Sequence, residues 1–275
     1  MVDLVSEPGV ADVSVYRDTG GTGVPPDEKV RRELIDRLLE GRFTRRSELS
    51  DAARVLELPE DGLFVVLYGD GSTDEARPEV SATAVDPSRR RVIVWRSLPD
   101  AEIGIVSVER VEDFDGLRAA LAASGQVIGV SRPVSGLARV PAALRRARIA
   151  RRCLPPGETG VAVFGERPVT TLVAGAPNLA RELAIEVLAG LDALGAEERA
   201  ELLTTLRLWF AHGGAVKVVA ELMSTHPNTV RYRLRRAAEV TGRDMEDPRD
   251  VGELYLAVEA TRLTPAEPPA GDPAG

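Results

Sequence analysis

Ala215-Val216-Lys217-Val218-Val219-Ala220-Glu221-Leu222-Met223, then Ser224-Thr225-His226, then Pro227-Asn228-Thr229-Val230-Arg231-Tyr232-Arg233-Leu234-Arg235-Arg236-Ala237-Ala238-Glu239-Val240 read as two short helices joined by a turn too tight for independent elements. The first helix, over 215–223, is expected to turn Val218, Val219, Leu222 and Met223 inward, with small Ala220 letting the second approach closely. Pro227 suits the start of the second helix, because the first turn has no intrahelical use for its amide. A period of 3.6 residues puts Val230, Leu234, Ala237 and Thr241 on one face of that helix. Asn228, Thr229, Tyr232, Arg235 and Arg236 fall on the other, flanked by Arg231 and Arg233. The first face is core and the second is free to bind.

Residues 227–240 hold four arginines and one acid, Glu239, a net +3 in a chain of formal charge −8. Guanidinium forks grip phosphate oxygens or the O6/N7 edge of guanine, and an asparagine can pair with adenine N6/N7 in the major groove. Gly214 and Lys217 are expected by the phosphate backbone at the start of the preceding helix, where free amides favour an anion. His226 is read first as a turn or capping residue and second as a DNA contact. A solvated surface helix is the bland account of an arginine run, but here the run comes with the tight turn and inward Val and Leu of a helix-turn-helix.

Outward from this motif, 275 residues with 44% apolar content suffice for about two packed domains. The negative total excludes a protein that coats nucleic acid or anionic membrane indiscriminately, so any nucleic-acid site is local. One cysteine, Cys153, rules out an intramolecular disulfide, and with only His212 and His226 beside it no zinc site is implied. No stretch approaches the ~18 apolar residues of a membrane span, and the start lacks the pattern of a signal peptide, so a cytoplasmic protein is expected. Residues 1–27 read as a flexible N-terminal segment, 28–60 as a helical linker, 61–175 as an α/β domain, 176–262 as a helical connector ending in the helix-turn-helix, and 263–275 as an unstructured tail.

Within 61–175, the runs 63–68, 91–95, 103–107 and 126–130 are short and rich in β-branched or aromatic residues, and so are predicted strands. A weak helical segment lies at about 75–85 and another helix at 114–123, giving the order βαββαβ. The expected fold is therefore a ferredoxin-like α/β (α+β) domain followed by an all-α helix-turn-helix domain. A helix after Asn178 is expected to put Leu179, Leu183, Val187, Leu188 and Leu191 on one side.

His226-Pro227-Asn228-Thr229-Val230-Arg231-Tyr232-Arg233-Leu234-Arg235-Arg236, with Thr241-Gly242-Arg243-Asp244 and Asp247-Pro248 after it, resembles the C-terminal helix-turn-helix of PucR/CdaR-type transcriptional regulators, itself similar to the Fis type of DNA-binding motif. The resemblance extends upstream through 202–206 and 213–214. Gly129-Val130-Ser131-Arg132-Pro133-Val134-Ser135-Gly136-Leu137 looks like the signature of that family's degenerate GGDEF-like middle domain. Together these cover roughly 28–262. Two departures stand out: many members carry arginine where this chain has Pro227, and members usually carry a sizeable sensory domain ahead of this region.

The GGDEF likeness raises an enzymatic reading, which fails on residues. Cyclase chemistry needs convergent carboxylates and a Gly-Gly-acid-Glu-Phe turn at the central hairpin, whereas this hairpin reads Arg96-Ser97-Leu98-Pro99-Asp100-Ala101-Glu102. Asp70 reads as a turn residue, and Asp113 and Asp115 as helix-capping groups rather than a calcium loop. No catalytic residue, cofactor site or metal site is assigned. The expectation is a sequence-specific regulator that binds double-stranded DNA, as a homodimer because one helix-turn-helix makes limited contact, with a small-molecule effector left open. The alternative is a ligand- or protein-binding signalling module whose helix-turn-helix no longer binds DNA.

Overall fold

The computed structural model describes residues 15–16, 26–70 and 92–263, and divides the chain into two compact units, 1–166 and 167–275. The predicted helix at 75–85 and the tail beyond 263 lie outside the described residues.

In the first unit, α1 (Pro26–Glu40) and α2 (Arg46–Leu56) precede the sheet. Strand β1 (Val15–Tyr16) falls within the stretch read as flexible and pairs in parallel with the start of β3 (Ile93–Leu98). The central strand, β2 (Leu63–Asp70), pairs antiparallel with β4 (Ala101–Val108) along one edge. Its other edge is shared by β5 (Val127–Val130) and β6 (Val134–Ser135), both antiparallel. β3 and β4 form a hairpin in which Leu98 faces Ala101 across the turn. β7 (Gly160–Val163) runs parallel to β5, so the sheet order is β1-β3-β4-β2-β5-β7.

Phe64, Val65, Val66 and Leu67 are all buried because both faces of the sheet are covered, which is why β2 is a continuous apolar run rather than an alternating one. Phe64 and Val66 pack with Ile35 and Leu38 of α1, Leu56 of α2, and Val140 and Leu144 of α4 (Val140–Arg152). Val65 and Leu67 pack with Leu117 and Leu121 of α3 (Asp113–Ala123) on the opposite face. Helix α4 crosses β5 so closely that a Cβ on Gly129 would lie 2.2 Å from the Ala147 carbonyl oxygen and the Arg151 amide, which explains the glycine that opens the 129–137 stretch. Ser131 in the same stretch is fully buried, and its Oγ accepts the Val66 N–H at 2.9 Å.

Polar ties pin the unit's elements to one another. Arg96 of β3 forks onto the Asp36 carboxylate of α1 at 2.7 and 3.1 Å. Asp70, expected in a turn, ends β2 and accepts from Arg151 Nε of α4 at 3.0 Å. Asp113 is buried at the start of α3 and accepts the Arg110 N–H at 3.0 Å, bracing the turn that enters the helix. Between the start of α2, the Glu60–Asp61 turn and Gly136–Ala138 lies a cavity of about 370 Å³ whose lining includes Arg45 and Arg46.

The second unit is helical: α5 (Pro168–Gly175), α6 (Pro177–Leu188), a 3-10 turn Ala189–Ala193, α7 (Ala196–Ala211), α8 (Val216–Leu222), α9 (Pro227–Thr241) and α10 (Pro248–Leu263). Its core joins Leu188, Leu191, Leu202, Leu206, Val219, Val230, Leu254 and Ala257, so the helices expected to connect the domains share one core with the helix-turn-helix. Helix α5, which the sequence places in the α/β block, packs here through Val173, and its buried Thr170 donates to Glu259 of α10 at 2.8 Å. On α6, Ala180 and Ala184 face inward; of the expected leucine side, Leu188 and Leu191 are buried and Val187 packs partly buried against the core, but Leu179 and Leu183 are exposed. Alanines allow α6 to approach α10 closely; larger leucines on that face would hold the helices apart.

Candidate nucleic-acid interface

α8 has a mixed surface: Val219 and Ala220 are buried, while Val218 and Leu222, both expected inward, are exposed and Met223 is half-buried. Seven residues make barely two turns, so only a narrow stripe can meet the core. The turn closes with Ser224 in the left-handed region at φ 50° and the Thr225 N–H bonded to the Ala220 carbonyl at 2.9 Å. Then α9 starts at Pro227, as its sequence predicts, and ends at Gly242, which takes φ 65° without steric cost and donates to Glu239 O. Val230, Leu234 and Ala237 are buried, the face that periodicity assigns to the core.

The remaining site residues divide into two sets. Arg231, Tyr232 and Arg235 are exposed along α9, Tyr232 to 61%, and Asn228 and His226 are exposed at its start. Lys217 is exposed on α8, and among the described residues neither it nor Arg235 meets a carboxylate. The second set is less exposed, and its two arginines are tied to α7. Arg233 pairs with Glu201 of α7 at 2.7 Å, and its side chain is only 18% exposed. Arg236 meets Glu198 of α7 at 3.1 Å, and this hydrogen bond holds its guanidinium above its ordinary pKa. Thr229 is half-buried.

Gly214 does not offer the free amide expected of it, since its N–H already donates to Trp209 O at 2.8 Å. His226 does cap α9: its Nδ1 accepts the Asn228 N–H at 3.2 Å, supplying one of the acceptors a helix start lacks. Arg231 Nη1 donates to Asn228 Oδ1 at 3.0 Å, joining two outward side chains into one unit. The residues that sequence reasoning missed are Glu198 and Glu201. Both lie more than 30 positions from their arginine partners, and helical periodicity carries no information about a partner on another helix.

Fold and site together define a class, a mixed α/β unit followed by a helical unit that carries a helix-turn-helix. The family model described as the PucR C-terminal helix-turn-helix domain matches residues 202–260, and that described as a GGDEF-like domain matches 40–153. The chain is 31% identical over 139 residues to an uncharacterized protein from the pkwA 5′ region of Thermomonospora curvata, covering 50% of this chain and 75% of that protein. It is also 44% identical over 62 residues to an uncharacterized protein of Mycobacterium tuberculosis, covering 22% of this chain and 15% of that protein. With the proline-responsive transcriptional activator PutR of Bacillus subtilis it shares 38% identity over 69 residues, 25% of this chain and 17% of PutR. Among solved structures, a regulator of polyketide synthase expression from Bifidobacterium adolescentis aligns over 88% of this chain and 95% of that one, with TM-score 0.38 and 20% identity. The chain belongs to the PucR type of regulator family, and spans only a fraction of the length of several of the curated relatives it matches.

Proposed function

We propose that this chain is a cytoplasmic, sequence-specific DNA-binding transcriptional regulator that engages operator DNA as a homodimer through α9. One observation carries the reading: Arg231, Tyr232 and Arg235 project from a helix whose opposite face is buried, in a chain that is otherwise acidic. A helix anchored in this way presents its cations at a fixed spacing, as groove recognition requires. Asn228, His226 and Lys217 complete the contact surface. Arg233 and Arg236 orient α9 against α7 instead of touching DNA, and Thr229 and Gly214 belong to its support.

Residues 61–166, without α5, fit a degenerate GGDEF-like domain on a ferredoxin-like βαββαβ frame, supported by the antiparallel order β3-β4-β2-β5. Its role is non-catalytic, in dimerisation or signal transmission. A two-fold dimer sets two recognition helices about 34 Å apart, one DNA turn.

The test is a fluorescence-anisotropy titration of the full chain against duplex from its own upstream region and against a scrambled duplex. If the dimer neutralises ~6 to 10 phosphates, affinity falls about 10³- to 10⁵-fold between roughly 50 and 200 mM salt. Tighter binding to the upstream duplex with that slope supports the reading. Equal binding to both, a flat salt response or no binding refutes it.

A further inference from the structure

The outward groups at the start of α9 share one chemical property. His226 uses Nδ1 to accept the Asn228 N–H, which leaves the ring hydrogen on Nε2. Arg231 has donors only, so the Asn228 atom facing it at 3.0 Å is the carboxamide oxygen, and the NH₂ group of Asn228 is the end left to project. His226, Asn228 and Arg231, all exposed, therefore present a row of N–H donors.

Base edges in the major groove differ in what they offer such a row. Guanine shows two neighbouring acceptors, N7 and O6. Adenine pairs an acceptor with the N6 amino donor, cytosine shows a donor, and thymine sets one acceptor beside a methyl group. The adenine contact considered for Asn228 needs its oxygen to accept from N6, but the Arg231 guanidinium lies against that oxygen and places donors where the adenine amino hydrogens would come. Two donors facing each other repel. A guanidinium fork already oriented by a side-chain oxygen loses less freedom on meeting a flat pair of acceptors.

We infer that Arg231, steadied by Asn228, reads guanine, and that each operator half-site carries a guanine at the base step facing the start of α9. This rests on α9 being a DNA-recognition helix and adds which base it selects. Arg231 is the contact residue and Asn228 its positioning residue. Arg235 lies four residues further along, about 6 Å by the helical rise, and addresses a different step.

The experiment selects duplexes from a random library with the full chain, then measures affinity for the selected duplex with each guanine in turn replaced by 7-deazaguanine, which keeps base pairing and removes N7. At one position per half-site the replacement, which removes one of the two acceptors, should weaken wild-type binding toward the lower end of the about 5- to 150-fold that a complete bidentate contact confers. Arg231→Ala should bind the guanine and 7-deazaguanine duplexes equally. Asn228→Ala should narrow the gap without abolishing it, an effect on base discrimination that a purely structural role would not produce. Arg235→Ala should leave the gap at that position intact.

Selection of specific duplexes with no such guanine, or a 7-deazaguanine effect that persists in Arg231→Ala, overturns the inference while DNA recognition stands. Failure to enrich any duplex overturns both. Unchanged circular dichroism and melting of Arg231→Ala, expected for an exposed residue, separates lost contact from lost fold.

Discussion

Gly190 sits in the 3-10 turn after α6, against the last turn of α9. A Cβ there would lie 1.6 Å from the Val240 carbonyl oxygen, where real contacts are not shorter than 3.0 Å. In Gly190→Ala the end of α9 must therefore retreat by roughly 1.4 Å, and such overpacking costs typically about 1–3 kcal/mol. The obstacle is backbone, so no side-chain rotation relieves it. For a domain of this size each kcal/mol lowers the melting temperature by about 4–8 °C, so the helical unit should melt roughly 4–24 °C earlier. Calorimetry of the full chain, with the transitions of the two units resolved, measures this. Gly252→Ala is the control: its Cβ would meet nothing within 4 Å in helix α10, and it should stabilise by about 0.4–1 kcal/mol. A Gly190→Ala protein melting at or above wild type would refute the packing argument.

Further outcomes follow from the same structure. Ser131→Ala strands the Val66 N–H inside the sheet and should cost the α/β unit about 1–3 kcal/mol, read as a lower midpoint in urea with unchanged slope. Burial opposes ionisation of Glu259, but hydrogen bonds from Arg262 and Thr170 outweigh it and hold the carboxyl below its ordinary pKa. That stabilisation is complete above the unfolded value near pH ~4.3 and lost as pH falls through the lower folded value. Wild type should thus lose its melting-temperature advantage over Glu259→Gln on acidification, and an unchanged difference down to about pH 2 would contradict it. Replacing Glu198 and Glu201 together by Gln releases Arg233 and leaves Arg236 only its longer contact to Glu239 at 3.8 Å. The helical unit should melt a few degrees lower, and binding to scrambled DNA should tighten, with a salt slope steeper by about 0.9 for each phosphate gained.

The elements that carry strong local patterns were legible in the chain. Helix α9 runs over Pro227–Thr241 against an expectation of 227–240, and strands β2 to β5 fall near their predicted runs because each is a short β-branched or aromatic stretch. What escaped was set by tertiary neighbours. Periodicity put Leu179 and Leu183 on one apolar side of α6, but α10 comes close enough to select Ala180 and Ala184. Likewise α5 reads as part of the α/β block until Glu259, 89 residues further on, takes up its Thr170 hydroxyl. For the candidate site, the sequence identified the arginine-rich helix and its buried face. It did not divide the arginines, because Glu198 and Glu201 claim two of them from another helix.

The hairpin of β3 and β4 bears on what this scaffold can become. Its turn is only Pro99-Asp100 between the facing pair Leu98 and Ala101, and Glu102, the carboxylate nearest the turn on β4, is buried and accepts from Ser97 Oγ at 2.8 Å. Any change of chemistry at this corner therefore has to come from the identities of Pro99, Asp100 and their neighbours, on a hairpin whose register the Leu98–Ala101 pair and the Ser97–Glu102 bond already fix.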